Sequence, residues 1–156
     1  MTTAVVVIRA GRREDLPAVV RLLADDPLGA GRECYAEPLP PAYAAAFEAM
    51  ERQGGNELLV AELGGAVVGC LQLTLIPGLS RLGATRAQIE GVRVDARARG
   101  RQIGEALVRA AIDRARAAGC ALVQLTTDRT REDAHRFYER LGFTATHLGM
   151  KLDLAR

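Results

Sequence analysis

The run from Thr85 to Gly119 constrains this chain more than any other stretch. Thr85 to Val94 reads as a strand, Arg99-Gly100-Arg101-Gln102-Ile103-Gly104 as a turn, and Ile103, Leu107, Val108, Ala111, Ile112 and Ala115 recur at helical spacing up to a stop at Gly119. A strand that passes through a glycine turn straight into an amphipathic helix implies a sheet with a helix laid against it.

The rest of the sequence repeats that vocabulary. Ala4 to Ala10 is short and β-branched, and Glu14 to Ala24 carries Leu16, Val19, Val20, Leu22 and Leu23 at helical spacing, with Pro17 suited to the first turn. Asp25 to Pro38 is a loop rich in glycine, proline and acids; a second helix runs from Pro40 or Pro41 through Tyr43, Phe47 and Met50 to Gly54-Gly55. Glu57 to Leu63 and Ala66 to Ile76 flank Gly64-Gly65, a dipeptide that permits a primed two-residue turn, and so predict an antiparallel hairpin. Ala121 to Thr127 is a further strand, and Thr130 with Asp133 predicts a capping box opening a helix with Ala134, Phe137, Tyr138 and Leu141 on one face. Phe143 to Thr146 and Leu148 to Leu154 predict the last strands. The fold class is α+β, a mixed, mostly antiparallel sheet of six to seven strands with about four helices. At 156 residues and 49% hydrophobic content, one core and a single domain spanning 1–156 are expected.

The 21 Lys and Arg against 19 Asp and Glu leave a net charge of +2, too small and too evenly spread to mark a nucleic-acid surface. Arg93, Arg97, Arg99 and Arg101 nevertheless cluster, which suits a polyanionic small molecule. Cys34, Cys70 and Cys120 have no metal spacing and read as reduced thiols. The first residues lack a basic stretch before a short apolar run, so neither a signal peptide nor a membrane span is expected, and the predicted location is the cytoplasm.

A pyrophosphate needs converging donors, and a helix start supplies them because its first N–H groups have no internal partner and lie at the positive end of the dipole. Gly100 and Gly104 keep side chains clear, while Arg99 and Arg101 add charge. The same residues would also suit a plain turn whose glycines serve sterics and whose arginines serve solubility. Neither Gly-x-x-x-x-Gly-Lys-Ser/Thr nor Gly-x-Gly-x-x-Gly occurs, which takes most of the weight from the nucleotide triphosphatase and dinucleotide dehydrogenase readings.

Arg101-Gln102-Ile103-Gly104-Glu105-Ala106 matches the Gln/Arg-x-x-Gly-x-Gly/Ala signature of the GNAT N-acetyltransferase family. His135-Arg136-Phe137-Tyr138-Glu139-Arg140-Leu141-Gly142-Phe143 resembles that family's tyrosine-bearing helix and following strand, at the expected separation after Ala121 to Thr127. The chain is therefore similar to GNAT enzymes over essentially its whole length. The resemblance implies acetyl-CoA as acyl donor, held by Arg99, Gly100, Arg101, Gln102, Ile103, Gly104, Glu105 and Ala106. It also implies that the backbone of Val92, Arg93 and Val94 pairs with the pantetheine arm like an added strand. A bulge near Gly91 to Val94 is expected; Gly91 suits one and equally suits close packing.

Acyl transfer to an amine needs a deprotonated nucleophile, a polarised thioester carbonyl and a proton for the departing thiolate. By the resemblance, Glu90 stands where some family members carry a general base, the amide of Val92 polarises the carbonyl, and Tyr138 is the general acid and a coenzyme contact. Glu90 also fits a solvent-facing strand glutamate, and Tyr138 a packing residue on its apolar face. Arg131 replaces an asparagine frequent in the family. His135, His147 and Cys120 read as structural.

The expected activity is acetyl transfer to a primary amine, without a metal. The acceptor is a small-molecule amine or a protein amine, and neither nucleic acid nor membrane is an expected partner. Family analogy adds a homodimer. The alternatives are an acyl-CoA-binding regulator without turnover and transfer of a longer acyl group. Acceptor residues are expected in Asp25 to Gln53 and Pro77 to Arg86. Asp25, Asp26, Glu33 and Glu37 would suit a cationic amine or serve as ordinary loop charges.

Overall fold

The computed structural model describes residues 4–154, which fall into two compact units, 4–124 and 125–154. In the first unit β1 (Val6–Ala10) leads through a 3-10 turn at Arg13–Asp15 into α1 (Leu16–Ala24), then α2 (Pro41–Gln53), β2 (Asn56–Leu63) and β3 (Ala66–Pro77). A single turn, α3 (Ser80–Gly83), precedes β4 (Thr85–Val94), a second 3-10 turn at Ala96–Ala98, α4 (Ile103–Ala117) and β5 (Leu122–Leu125). The second unit contains α5 (Glu132–Arg140).

The strand order is β1-β2-β3-β4-β5, with β1 through β4 successively antiparallel. Gly64 and Gly65 take positive φ of 59° and 82°, as the predicted primed turn requires. At the other edge Ala121 N donates to Thr85 O at 2.9 Å and Gln124 Nε2 to Gln88 Oε1 at 2.8 Å, so β4 and β5 advance in the same direction. Strand alternation then divides the core. Leu58, Val60 and Cys70 face α1 and α2, meeting Leu16, Val19, Leu22 and Phe47. Leu59, Leu71 and Ile89 lie on the opposite face, where α4 packs through Ile103, Leu107, Val108, Ala111 and Ala115. Gly69 lets α4 approach closely: a Cβ there would stand 3.0 Å from Leu107 Cδ1 and 3.1 Å from both Ile103 Cγ2 and Arg93 O.

Two expectations differ from the structure. Five strands form among the described residues rather than six to seven, and none is found in Phe143 to Thr146 or Leu148 to Leu154. Leu148, Met150, Leu152 and Leu154 do alternate, but they are exposed, and alternation becomes a strand only where a neighbour completes the hydrogen-bond ladder. The capping box of Thr130 and Asp133 does not form either. Thr130 donates through its hydroxyl and its backbone N to Asp128 Oδ1 at 2.6 and 2.9 Å, and α5 begins two residues later. These bonds hold the Asp128 carboxyl below its ordinary pKa.

Candidate active site

The strand entering the turn is bent where the sequence placed a glycine. Gln72 stands opposite Glu90 but Cys70 stands opposite Arg93, so β4 carries one extra residue over this interval, and Gly91 lies at φ 61°. A left-handed glycine beside a register shift is a bulge. Its consequence is that Arg93 joins Cys70 and Glu90 on the α1 and α2 face. The β4 edge beyond Ile89 also runs past β5, which ends one residue after Gln124. Glu90 to Val94 therefore offer main-chain groups to an added extended segment.

Past the strand, the chain reaches α4 through residues of alternating hand. Gly100 has φ 80° and Gln102 φ 57°, whereas Arg101 between them is not left-handed. Successive N–H groups in such a turn point to one side and form an anion-binding concavity, which the start of α4 continues. The first intrahelical donor is Ala106 N, bonded to Gln102 O at 3.0 Å, so the N–H groups of Ile103, Gly104 and Glu105 precede the ladder. No atom lies within 4 Å of the position a Gly100 Cβ would take. The left-handed Gln102 went unread in the sequence, because glutamine carries no signal for that conformation.

The arginine cluster splits into two roles. Arg93 Nη2 pairs with Asp26 at 3.3 Å and its Nη1 donates to Val92 O at 2.8 Å, the pair being largely buried. Arg97 pairs with Asp95 at 2.8 Å and, with its own backbone N–H, holds the Asp95 carboxyl down at about 2. Arg99 and Arg101 are exposed and have no ion pair among the described residues. Only these last two present a guanidinium at the turn.

The loop after α1 is fastened internally. Arg21 donates to Tyr35 Oη at 2.5 Å and lies 4.8 Å from its ring centroid, and Tyr35 Oη donates to Glu37 at 3.0 Å. Tyr43 Oη accepts from Cys34 N and donates to Glu33, both at 2.9 Å. Of the four loop acids considered for a cationic amine, Asp26, Glu33 and Glu37 are thus engaged, and Asp25 alone is exposed without such a bond among the described residues.

Glu90 is exposed and has no hydrogen-bond partner among the described residues. In the second unit Tyr138 is half-buried, its ring edge-on to Phe137 at 5.0 Å and to Phe143 at 5.8 Å. His135 Nε2 lies 2.9 Å from Asp128 O, and His147 Nδ1 2.7 Å from Thr146 Oγ1, both local structural contacts. Burial pushes the Cys70 thiol up to about 12, away from a nucleophilic thiolate.

Residues 18–143 match the Acetyltransferase (GNAT) family. The glucosamine 6-phosphate N-acetyltransferase of Trypanosoma brucei brucei is 32% identical over 149 residues, 94% of this chain and 95% of that one. A crystal structure from Bacillus halodurans C-125, described as a transcriptional regulator, is 50% identical with a TM-score of 0.94, covering 96% of this chain and 100% of its own. A Trypanosoma brucei acetyltransferase structure is 31% identical with a TM-score of 0.78, covering 96% and 100%. With the matched family spanning both the bulged strand and the tyrosine helix, this chain belongs to the GNAT family of acyltransferases.

Proposed function

We propose that the protein transfers an acetyl group from acetyl-CoA to a primary amine of a small molecule, by direct attack in a ternary complex. The observation that carries this reading is the alternating-hand turn from Gly100 to Gln102 opening α4, with Arg99 and Arg101 beside it and without an ion pair among the described residues. Its leftover N–H groups fit a pyrophosphate, and the β4 edge from Glu90 to Val94, beyond the end of β5, fits a pantetheine arm. Val92, Arg93 and Val94 contribute through main chain, and Ile103, Gly104 and Glu105 through the N–H groups that precede the helical ladder, whereas the Ala106 N–H is taken by Gln102 O. The match of the family across residues 18–143 supports reading 1–156 as one catalytic domain.

In this mechanism the amine nitrogen attacks the thioester carbonyl, a C–N bond forms and the C–S bond breaks. Glu90, directly or through water, takes the ammonium proton that would otherwise block attack. The Val92 amide donates to the carbonyl oxygen as negative charge builds on it. Tyr138 gives its phenolic proton to the departing thiolate and is restored by the second proton that the nitrogen loses as the intermediate collapses to the amide. No residue becomes acylated. The relatives named for glucosamine 6-phosphate support a small-molecule acceptor rather than a protein amine. The family resemblance also carries a cytoplasmic homodimer.

A second reading, coenzyme binding by a regulator without turnover, is favoured by the name of the 50% identical Bacillus halodurans protein. Thiol release from acetyl-CoA, measured against a panel of amines, separates the two. The catalytic reading predicts amine-dependent release that falls about 100-fold in Glu90→Gln and about tenfold or more in Tyr138→Phe, the range of general acid–base contributions. Undiminished turnover in both variants contradicts the assigned roles, and binding without release for every amine favours the regulator.

A further inference from the structure

The α1 and α2 face of the sheet carries a polar grid that those helices leave partly open. Asn56 stands opposite Thr74, Thr74 opposite Gln88, and Gln88 accepts from Gln124, which makes one row across β2, β3, β4 and β5. In the next row Gln72 stands opposite Glu90, and on the other side Ile76 stands opposite Arg86. Read along β4, one face presents Arg86, Gln88 and Glu90: a cation, an amide and an anion. Asn56, Thr74, Gln72, Gln88, Gln124 and Arg86 are all half-buried.

Half-buried amides on a sheet face are costly unless bonded, and here they are bonded only in part. Asn56 Oδ1 accepts from Gln72 Nε2 at 2.9 Å and from Thr74 Oγ1 at 3.4 Å, and Asn56 Nδ2 donates to Gln53 at 2.9 Å. The 2.8 Å bond from Gln124 Nε2 to Gln88 Oε1 leaves Gln88 Nε2 to donate and Gln124 Oε1 to accept, while Gln72 keeps its Oε1. Arg86 has no partner among the described residues.

We propose that this grid seats the acceptor, and that the acceptor is a small amine whose body bears hydroxyl groups and one anionic group such as a phosphate. The proposal rests on the acetyltransferase reading for its chemistry, but the recognition is a property of the grid. Hydroxyls donate and accept, as do the exposed amide groups, so each pairs without a charge penalty. A polyamine or a lysine side chain would lay bare methylenes against these amides and find one carboxylate on the grid, Glu90; of the loop acids, Asp26, Glu33 and Glu37 are engaged elsewhere and Asp25 interacts with Arg97. Arg86 and Glu90 are four residues apart on β4, about 13 Å at the rise of a strand, so their two side chains and a monosaccharide phosphate together fill the span between them. The amine then meets Glu90 and the anion meets Arg86.

The test pairs turnover with binding. Initial rates are compared for glucosamine 6-phosphate, glucosamine, hexylamine and spermidine in wild type, Gln88→Leu, Gln124→Leu and Arg86→Ala, with circular dichroism confirming that each variant folds. Titration with the acetylated product analogue, N-acetylglucosamine 6-phosphate, is followed by calorimetry without acetyl-CoA. Wild type should prefer the phosphorylated amino sugar. Either glutamine substitution should raise its KM about tenfold while leaving the KM for acetyl-CoA unchanged. Arg86→Ala should erase the preference for glucosamine 6-phosphate over glucosamine. Equal use of hexylamine or spermidine by wild type, product binding that the three substitutions do not weaken, or no product binding at all overturns the proposal. Product binding that these substitutions weaken, with no turnover of any amine, supports the grid and refutes the enzyme.

Discussion

Arg97 and Arg101 are four residues apart and chemically identical, yet they are expected to behave differently. Arg97 is occupied by Asp95, whereas Arg101 has no acid partner among the described residues. A charge-assisted hydrogen bond contributes about 1.5–3 kcal/mol, and solvent exposure places Arg101 at the lower end. Arg101→Ala should therefore raise the KM for acetyl-CoA about tenfold in steady-state kinetics, and Arg97→Ala should change it less than about twofold. The clustering of these arginines was visible in the sequence; their division was not, because the partner that removes Arg93 is Asp26, 67 residues away. Asp15 was missed although its partners are near in sequence, because its pairing with Arg9 depends on how the chain turns between β1 and α1. It is buried, bonded to both terminal nitrogens of Arg9 at 2.7 and 2.9 Å and to Arg12 N at 2.7 Å, and these bonds lower its carboxyl below the ordinary 3.8. Since the folded pKa is the lower one, the stabilisation is complete above the unfolded value and is lost as pH falls through the folded one. Asp15→Asn should cost about 1–3 kcal/mol at pH 7, with a smaller penalty at pH 3, measured by urea denaturation at both.

At the scale of elements, strands and helices with strong periodicity were legible almost to the residue. The strand from Thr85 to Val94 matches its expected bounds, as does the helix through Phe47, and the strands of the Gly64-Gly65 hairpin each run one residue beyond theirs. Each has its signal inside itself: alternation, helical spacing, or a glycine where φ must be positive. The elements that failed depend on a neighbour. Leu148 to Leu154 alternates but carries no ladder among the described residues, and Thr130 is drawn to Asp128 rather than to a helix start. The bulge falls between these cases, since Gly91 hinted at it and only the register with β3 established it. Gly91→Val forces a β-branched residue to φ 61°, which costs roughly 1–2 kcal/mol or more. The variant should lose stability by that amount in chemical denaturation. Because the bulge sets the direction of the β4 edge, it should also lose acetyl-CoA affinity beyond what the stability change explains.

At the scale of the molecule, no helix among the described residues is long and apolar enough to cross a membrane, and the family assignment spans both compact units. The proposed donor side was legible because its signature is carried by contiguous residues, Arg101 to Ala106. The proposed acceptor side was not, because Asn56, Gln72, Gln88 and Gln124 become one surface only through strand register. If the start of α4 holds the coenzyme, acetyl-CoA at a hundredfold excess over Kd should stabilise the fold by about 2.7 kcal/mol, a Tm rise on the order of 5 °C by calorimetry. The most direct test of the central claim follows the acetyl group itself. Acetyl-CoA labelled with carbon-13 in the acetyl group, incubated with the protein and an amino sugar phosphate, should yield labelled N-acetyl product in equal amount to the free thiol. Gly100→Val, which disturbs the turn at φ 80°, should reduce both together. Thiol released without labelled amine, or product formation indifferent to Gly100→Val, would contradict it.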